Sequence, residues 1–353
     1  MDLRIVATGQ HRALFDDVVA AFGLEIEHNL DLLVPGQTIE MLTAGIASAL
    51  PALIETIRPA MLLVQGDTTS AWAAARVAHR TGLPVGHVEA GLRSHDIACP
   101  WPEERNRIEI DAVSTLLFAP TAQARRNLAA ESVRGRVIVT GNSGIDALLA
   151  VRGATAGTTL HEGGRRLILA TCHRRENIGA GIAAICAALR RIAERPDVRI
   201  VLPLHPNPQV REGIRDALAG AAVELIEPLP YPDMVRLMDA AHLILSDSGG
   251  LQEEAPALGV PLLVLRDNTE RPEALATGNI ALVGTDTGRI VAETMRLLDD
   301  PVAHAAMAVP AFPYGRGDAA ERILDAIEDW RDKRHADARS EHRPTRRPPP
   351  ARA

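Results

Sequence analysis

Short runs of valine, isoleucine and leucine recur along the chain, and stretches with apolar residues at helical spacing separate most of them. Each run leads into a turn rich in Gly, Ser, Thr, Asp or Asn. Continuous apolar strands that alternate with helices are typical of parallel sheets covered on both faces, so the pattern predicts the α/β class. The predicted strands are 3–7, 61–65, 84–88, 116–119, 137–140, 167–171, 198–202, 223–226, 243–246, 261–265 and 280–283.

The length of the chain indicates how many domains these strands form. At about 150 residues per domain, 353 residues predict two doubly wound, Rossmann-like domains. The segment 151–164 is rich in Gly, Thr and Ala and follows a predicted helix at 145–149, so it is the predicted linker. The first domain is therefore expected at 1–150 and the second at 151–314.

The end of the chain has a different composition. Residues 331–353 contain eight Arg or Lys, three Asp or Glu, several prolines and no apolar periodicity. Such a segment cannot bury enough apolar surface to fold alone, so it is predicted to be a disordered basic tail. A basic arm that binds an acidic partner is the less favoured alternative.

Charge and composition exclude several classes of function. The net charge is −7 and aromatic residues make up 3% of the chain, which gives no reason to expect nucleic acid as a partner. No run approaches the roughly 20 apolar residues of a membrane span, and the first residues lack the pattern of a signal peptide, so we expect a cytoplasmic protein without a membrane segment. The three cysteines show neither disulfide nor zinc spacing. Lys333 is the only lysine, which excludes a Schiff-base or P-loop lysine in the folded part.

Acidic residues cluster in the loops of the first half. Asp67 follows one predicted strand, Glu89 closes the next, and Glu103 and Glu104 stand at a proline-bracketed helix start. A capping role explains Asp67 equally simply, and the helix dipole favours acids in a first turn. A carboxylate that ends a buried strand is costly unless it is paired or functional. Together the three loops favour acid–base chemistry at one crevice, and because no aspartate-rich motif has metal spacing, a metal site is ranked second.

The second half supplies positive charge and small residues at the equivalent strand ends. His173 and Arg174 follow one predicted strand, His205 follows another, and the turn at 247–254 is rich in glycine and serine. Arg271 precedes a further helix start. Glycines at a helix N-terminus let backbone N–H groups approach a phosphate, and arginine binds phosphate oxygens bidentately. The pattern predicts a phosphate-bearing ligand.

Seven ordered motifs give the chain a family resemblance from about Val6 to Trp330. It resembles the non-hydrolysing UDP-N-acetylglucosamine 2-epimerases. The resemblance implies two domains of the glycosyltransferase-B type with the ligand in the interdomain cleft, a last helix at 315–330 that returns to the first domain, a homodimer, and no redox cofactor. The motifs are GDTTS (66–70), GHVEAGLRS (86–94), PWPEERNR (100–107), VTGNSGIDAL (139–148), HRREN (173–177), DSGGLQEEAPALG (247–259) and RDNTERPEA (266–274).

The resemblance also implies a reaction and a set of site residues. Family members interconvert UDP-N-acetylglucosamine and UDP-N-acetylmannosamine by eliminating UDP, which leaves 2-acetamidoglucal, and adding it back with C2 inverted. By motif position, Asp67, Glu89 and Glu103 are the acid–base carboxylates and His173 is an essential histidine. The residues implied to line the UDP site are Arg174, Ser248, Gly249, Gly250, Glu254 and Arg271, with His205 as a further candidate near the pyrophosphate.

The chain differs from the family pattern in three places. It begins at what looks like the second strand of the family, without the usual G-T-R-P-E turn, and we expect this to leave an open slot in the first sheet. Met234 stands where relatives often place an aromatic side chain against uracil. Gln10 and His11 match an effector-site motif, but Ala13 and Gly36 replace the expected glutamine and arginine, so we expect UDP-N-acetylmannosamine alone to be turned over with hyperbolic kinetics.

Two other functions remain open at this point. A retaining glycosyltransferase of the same fold would bind the same donor, although the three carboxylates would then be superfluous. A catalytically weak UDP-sugar-binding protein is the second alternative, and the missing N-terminal turn is the feature that suggests it.

Overall fold

The computed structural model describes residues 2–9, 12–34, 36–154, 164–174 and 177–341, and in them strands and helices alternate as the pattern predicts. The described strands are β1 (Val6–Ala7), β2 (His28–Asn29), β3 (Leu62–Gln65), β4 (Val85–Val88), β5 (Leu116–Ala119), β6 (Arg136–Val139), β7 (Arg166–Thr171), β8 (Val198–Pro203), β9 (Val223–Ile226), β10 (Leu243–Ser246), β11 (Leu262–Val264) and β12 (Ile280–Leu282). The described helices are α1 (Arg12–Phe22), α2 (Ile39–Ile57), α3 (Thr69–Arg80), α4 (Glu103–Val113), α5 (Ala122–Ala130), α6 (Ser143–Ala154), α7 (Ala180–Ile192), α8 (Pro208–Ala217), α9 (Tyr231–Asp239), α10 (Gly249–Leu258), α11 (Pro272–Ala276), α12 (Thr287–Asp299), α13 (Pro301–Met307) and α14 (Ala319–Glu341).

The strands form two main parallel sheets, which confirms the α/β class with Rossmann-like domains. The second domain has six strands in the order β12-β11-β10-β7-β8-β9. The first domain has four in the order β3-β4-β5-β6. In the six-stranded sheet the chain order reverses between β7 and β10, and ligands of doubly wound sheets bind beyond the carboxyl ends of the strands at such a point.

Side-chain alternation along the central strands places one core on each face of the second sheet. Ile168 and Ala170 of β7 face the cluster that contains α7, α8 and α12. Leu167 and Leu169 face the opposite cluster, to which α9 and α10 contribute. Because both faces of the strand are covered, its sequence is continuously apolar instead of alternating.

The same alternation packs the first sheet between helices from distant parts of the sequence. Leu117 and Ala119 of β5 pack against Ala124 and Leu128 of α5. On the other face, Leu116 and Phe118 pack against Ile323, Ala326 and Ile327 of α14. The last described helix therefore covers the first domain.

Two boundaries differ from the sequence prediction. Helix α6 runs to Ala154, beyond the predicted helix at 145–149, and its Ile145, Leu148 and Val151 pack into the core of the second domain. Placing all of 1–150 in the first domain was therefore wrong for α6. The predicted linker 151–164 lies partly in this helix and partly outside the described residues.

The predicted tail also differs from the structure. Helix α14 begins at Ala319 and continues to Glu341, so the prediction of disorder was wrong for residues 331–341. Local pairing accompanies this extension, because Lys333 Nζ donates to Asp329 at 3.0 Å, one turn away, and Arg334 lies over the Trp330 ring. Residues 342–353 lie outside the described residues.

The first described strand is shorter than predicted. Only Val6 and Ala7 of the predicted strand 3–7 form β1, which pairs with β2 in a separate two-stranded sheet. Among the described residues, neither strand pairs with the four-stranded sheet, and β3 lies at its edge. Helix α2 is the one described helix long and apolar enough to cross a membrane, yet its Leu42, Ile46 and Leu50 are buried in a cluster that α3 shares.

Candidate active site

The predicted site residues lie in loops that leave the carboxyl ends of the strands in both domains. Asp67 follows β3, and Glu89 follows β4 directly. His173 follows β7, His205 follows β8, and Ser248 follows β10. Both sheets therefore contribute side chains, as the position of ligand sites in doubly wound folds leads one to expect.

The turn that carries Asp67 leaves its carboxylate for other partners. Gly66 adopts φ +66°, in the left-handed region that favours glycine. The N-cap of α3 is Thr68, whose hydroxyl accepts a hydrogen bond from the Ala71 N–H at 3.2 Å. Asp67 is thus not the cap, and its carboxylate forms an ion pair with the guanidinium of Arg107 instead.

Glu89 has an unusual backbone and an unusual charge state. Its φ of +70° lies in the left-handed region, where a non-glycine residue is held only by its surroundings. Burial raises the pKa of Glu89 to about 7, and the negative charges of Glu253 and Asp67 act in the same direction, whereas Arg271 and Arg107 oppose them. Glu89 therefore takes up a proton near neutral pH.

The two glutamates at the start of α4 have different roles. Glu104 is buried, and its carboxylate accepts the backbone N–H groups of Ser94 and His95 at 3.0 and 3.1 Å. It also lies 3.2 Å from Arg107 Nη1. Within the described part of the chain, the Glu103 side chain makes no hydrogen bond or ion pair. Glu104 is therefore structural, and Glu103 is the carboxylate available to a ligand.

The N-terminus of α10 forms a cradle for an anion. Ser248 caps the helix, and Gly249 and Gly250 form its first turn. A Cβ atom placed on Gly249 would lie 2.8 Å from Nη2 of Arg174 and 2.8 Å from Nη1 of Arg271. Two guanidinium groups and the positive end of a helix dipole thus meet where a side chain has no room, which suits a pyrophosphate.

A buried carboxylate holds the loop that carries His173. Asp247 is fully buried and accepts hydrogen bonds from the backbone N–H groups of His173 and Arg174 and from the side chain of Asn177, at 2.9 to 3.1 Å. The rings of His173 and His205 stack with centroids 5.4 Å apart. Burial lowers the pKa of His173, and His205 and Arg174 act in the same direction, whereas Asp247 opposes the shift.

Buried ion pairs connect the cradle with the rest of the cleft. Arg271 Nε donates to Glu253 at 2.6 Å, and Asn142, in the loop after β6, donates to the same carboxylate. Burial opposes the ionisation of Glu270, but Arg271 and Arg266 outweigh it and lower the pKa of Glu270 to about 2. Glu270 therefore stays ionised beside the cradle at neutral pH.

Glu254 lies on α10, about one turn after Gly249 and Gly250. It accepts a hydrogen bond from the Tyr231 hydroxyl at 2.8 Å, and burial raises its pKa to about 7. Met234 packs, partly buried, against the same core as Tyr231. Tyr231 thus joins α9 to Glu254 on α10, and position 234 carries no aromatic ring.

Some expectations lie outside the described residues. Gln10 and His11 are among those outside, so the effector-site interpretation stays a prediction. In residues whose placement is described, no group of three or more His, Cys, Asp and Glu side chains could hold a metal ion.

Sequence reasoning missed three residues of this site: Arg107, Asp247 and Glu253. Arg107 stands four residues after Glu103 on α4, one helical turn away, which is a signal that could have been used. Asp247 directly follows a wholly buried strand, the same feature that singled out Glu89. Glu253 had no distinguishing signal, because it differs from Glu254 only in the face of α10 that it occupies.

Fold and site together define a two-domain α/β enzyme whose cleft combines carboxylates with an anion cradle. The sequence profile of the UDP-N-acetylglucosamine 2-epimerases matches residues 1–328. The UDP-N-acetylglucosamine 2-epimerase of Escherichia coli K12 is 43% identical over 344 residues, which cover 94% of this chain and 92% of the relative. The chain therefore belongs to the UDP-N-acetylglucosamine 2-epimerase family, and it is an isomerase.

Solved structures of the family share the fold. The Neisseria meningitidis enzyme bound to UDP-GlcNAc superposes with a TM-score of 0.87 at 42% identity, covering 91% of this chain and 90% of that one. The Methanocaldococcus jannaschii enzyme in complex with UDP-GlcNAc and UDP gives a TM-score of 0.78 at 30% identity, covering 93% and 92%. These likenesses confirm the glycosyltransferase-B-like architecture and favour the epimerase over the two alternatives.

Proposed function

We propose that the cleft interconverts UDP-N-acetylglucosamine and UDP-N-acetylmannosamine by elimination and re-addition of UDP. The bond from C1 to the phosphate oxygen breaks with its electron pair going to UDP, and a carboxylate takes the C2 proton, so that C1 and C2 become doubly bonded. Re-addition returns UDP to C1 while a second group delivers a proton to the opposite face of C2. Leaving-group charge needs cations and dipoles, which the cradle supplies through Arg174, Arg271 and the N-terminus of α10.

The observation that carries this proposal is the contrast between Asp67 and Glu89. Inversion at C2 needs one group that can accept a proton and another that already holds one. The ion pair with Arg107 stabilises ionised Asp67, whereas burial and neighbouring negative charge keep a proton on Glu89 up to about pH 7. Glu89 can thus deliver a proton while the Asp67 carboxylate, paired with a cation, is available to accept one, which is the division of roles that a two-base epimerisation requires.

The remaining residues are assigned to binding. We place the pyrophosphate on Ser248, Gly249 and Gly250, with Arg174 and Arg271 beside it and His205 nearby. Glu254 belongs to the UDP site, and Glu103 and His173 face the sugar and the departing phosphate. No metal or redox cofactor enters the reaction as proposed.

Incubation in D₂O with UDP-N-acetylglucosamine and no acceptor tests the proposed function. We expect proton NMR to show UDP-N-acetylmannosamine and deuterium at C2 of both sugars. A retaining glycosyltransferase would leave C2 protonated, and a binding protein would leave the substrate unchanged. Either result would overturn the proposal.

The pH dependence of turnover should reflect the proton on Glu89. As the pH rises through about 7, Glu89 loses its proton and no group remains to deliver one to C2. We expect kcat/KM for UDP-N-acetylglucosamine to fall about tenfold per pH unit above this value, with an apparent pKa that belongs to the pair. The Glu254→Gln variant should show the same fall above pH 7. A parent profile that stays flat to pH 9 would contradict the assignment of Glu89 as the proton donor.

We also propose that the chain is a cytoplasmic homodimer, with α2 in the interface. Leu33 and Val34, which lead towards α2, and Ile39 and Met41 on the helix itself are all exposed, and exposed apolar patches mark interaction surfaces. A second copy of the same helix would cover this face symmetrically.

The Met41→Glu variant tests this interface. Met41 is 47% exposed, so the substitution is tolerated in a monomer but places two charges in a shared apolar contact. We expect sedimentation velocity to show a dimer for the parent and a monomer for the variant. Val302, which is 80% exposed on α13, provides the matched control Val302→Glu, which should leave the dimer intact. A monomeric parent would contradict the proposal.

A further inference from the structure

A buried ionic network lies beneath the turns that carry Asp67 and Glu89. His87 and Asp111 are completely buried, and Arg93 is nearly so. His87 Nδ1 lies 2.6 Å from Asp111 Oδ1, and His87 Nε2 lies 2.9 Å from the carbonyl oxygen of Gly66. None of these groups is needed for binding or for proton transfer in the reaction as proposed.

The contacts of His87 indicate which of its ring nitrogens carry hydrogen. A carbonyl oxygen can only accept, so Nε2 carries a hydrogen. The other oxygen of Asp111 accepts the Gly91 N–H at 3.2 Å and Arg93 Nη2 at 2.7 Å, as an ionised carboxylate does. Nδ1 faces the first oxygen of this carboxylate, so a hydrogen on Nδ1 as well lets the ring donate to both partners as an imidazolium.

The charges of the network balance when His87 is cationic. Arg93 and His87 are the two cations, and Asp111 and Glu131 are the two anions, since Arg93 also donates to both oxygens of Glu131 at 2.6 Å. Buried charges are tolerated when each is paired and hydrogen-bonded, and this arrangement meets both conditions.

The network fixes both turns of the site at once. The imidazolium holds the Gly66 carbonyl, and this peptide group leads directly into Asp67. Asp111 holds the Gly91 N–H, two residues after Glu89. Gly66, Glu89 and Gly91 all have positive φ angles, so hydrogen bonds hold both turns in uncommon conformations. Asn106 and Asn127 add donors to the carbonyl oxygens of Asp67 and Gly91.

We propose that His87, as a buried imidazolium, is a positioning residue for the epimerisation, and that it sets the distance between Asp67 and Glu89 by holding the peptide group of Gly66. This inference rests on the proposed roles of Asp67 and Glu89. It assigns His87 no contact with substrate, so its loss should affect the chemical step more than binding.

The His87→Gln variant tests the positioning role. Glutamine can donate to one partner but not to both, and it removes the positive charge. We expect kcat to fall about 10- to 100-fold, as misplacement of a reacting group by about an ångström does, while KM and the Kd of UDP change less than about threefold. The matched control His79→Gln, an exposed histidine on α3 of the same domain, should behave like the parent. Normal turnover by folded His87→Gln would overturn the inference.

Neutron crystallography of the unaltered chain tests the imidazolium without any substitution. We expect deuterium on both Nδ1 and Nε2 of His87, and a ring with one deuterium would overturn the inference even if the variant fails to fold. Failure of the proposed function is distinguishable, because the unaltered chain would then form no UDP-N-acetylmannosamine and place no deuterium at C2, whatever the state of His87.

Discussion

Replacing Asp67 by asparagine is expected to lower kcat about 10²- to 10⁴-fold, the range for a positioned acid–base group. The amide cannot take the C2 proton, and it also loses the charged partner of Arg107. Glu89→Gln and Glu103→Gln should fall in the same range. Because the anion cradle is built from other residues, titration calorimetry should show UDP affinities within a few-fold of the parent for all three.

A carboxylate on the same helix as Glu103 provides the control. Glu109 accepts hydrogen bonds from Trp72 and Arg105 on the outer side of α4, so Glu109→Gln should change kcat less than about twofold. If all three site variants keep near-normal turnover in stable protein, the carboxylate assignment is wrong.

Thermal melts separate loss of chemistry from loss of folding in Glu89→Gln. The pKa of Glu89 is raised from its usual 4.5 to about 7, so ionised Glu89 disfavours the folded state. The stability associated with its protonated form is present below pH 4.5 and is lost as the pH rises through about 7. The difference in melting temperature, Glu89→Gln minus parent, should therefore be more positive at pH 8 than at pH 4.

Most strands of the two main sheets could be predicted because they are buried on both faces. A continuous apolar run such as β5 has no other simple explanation, and its predicted and observed bounds coincide. Strand β2 could not be found, because His28 and Asn29 are polar and form only two ladder positions. Prediction was thus successful where burial determines the residue types.

The boundary errors have a common physical cause. Helix α6 follows the first sheet in sequence but packs against the second sheet. Its Ile145, Leu148 and Val151 belong to the same apolar cluster as residues of β7 and α9. Composition alone cannot show which of two cores an apolar helix face will join. Similarly, residues 331–341 have little apolar character, and their helix continues one that is already packed.

The site could be predicted as a set of loops, but not as a set of roles. Residue type and helix position do not separate Glu103 from Glu104; only the family resemblance singled out Glu103, and the bonds to Ser94 and His95 show that Glu104 is structural. The pairing of Asp67 with Arg107 likewise depends on how α4 lies against the turn after β3. Roles that arise from three-dimensional pairing need the structure.

Asp247 illustrates how a residue outside the chemistry can determine it. Its carboxylate is fully buried, and three donors converge on it: the N–H groups of His173 and Arg174 and the amide of Asn177. These bonds tie the loop after β7 to the loop after β10, so that Arg174 reaches over Gly249. Removing the acceptor leaves all three donors without a partner in the interior, where each unmade bond costs about 1–3 kcal/mol.

We therefore expect Asp247→Ala to lower the melting temperature by about 5–10 °C and to weaken UDP binding at least tenfold. The stability loss follows from the three unmade bonds, and the affinity loss follows because Arg174 no longer keeps its place beside the helix N-terminus of α10. Scanning calorimetry and UDP titration measure the two effects. The matched control is Asp300→Asn: Asp300 caps α13 by accepting the N–H groups of Val302 and Ala303 at an exposed site, and asparagine caps helices equally well, so both properties should stay at the parental values. An Asp247→Ala protein with parental melting temperature and UDP affinity would show that the His173 loop keeps its conformation without this carboxylate.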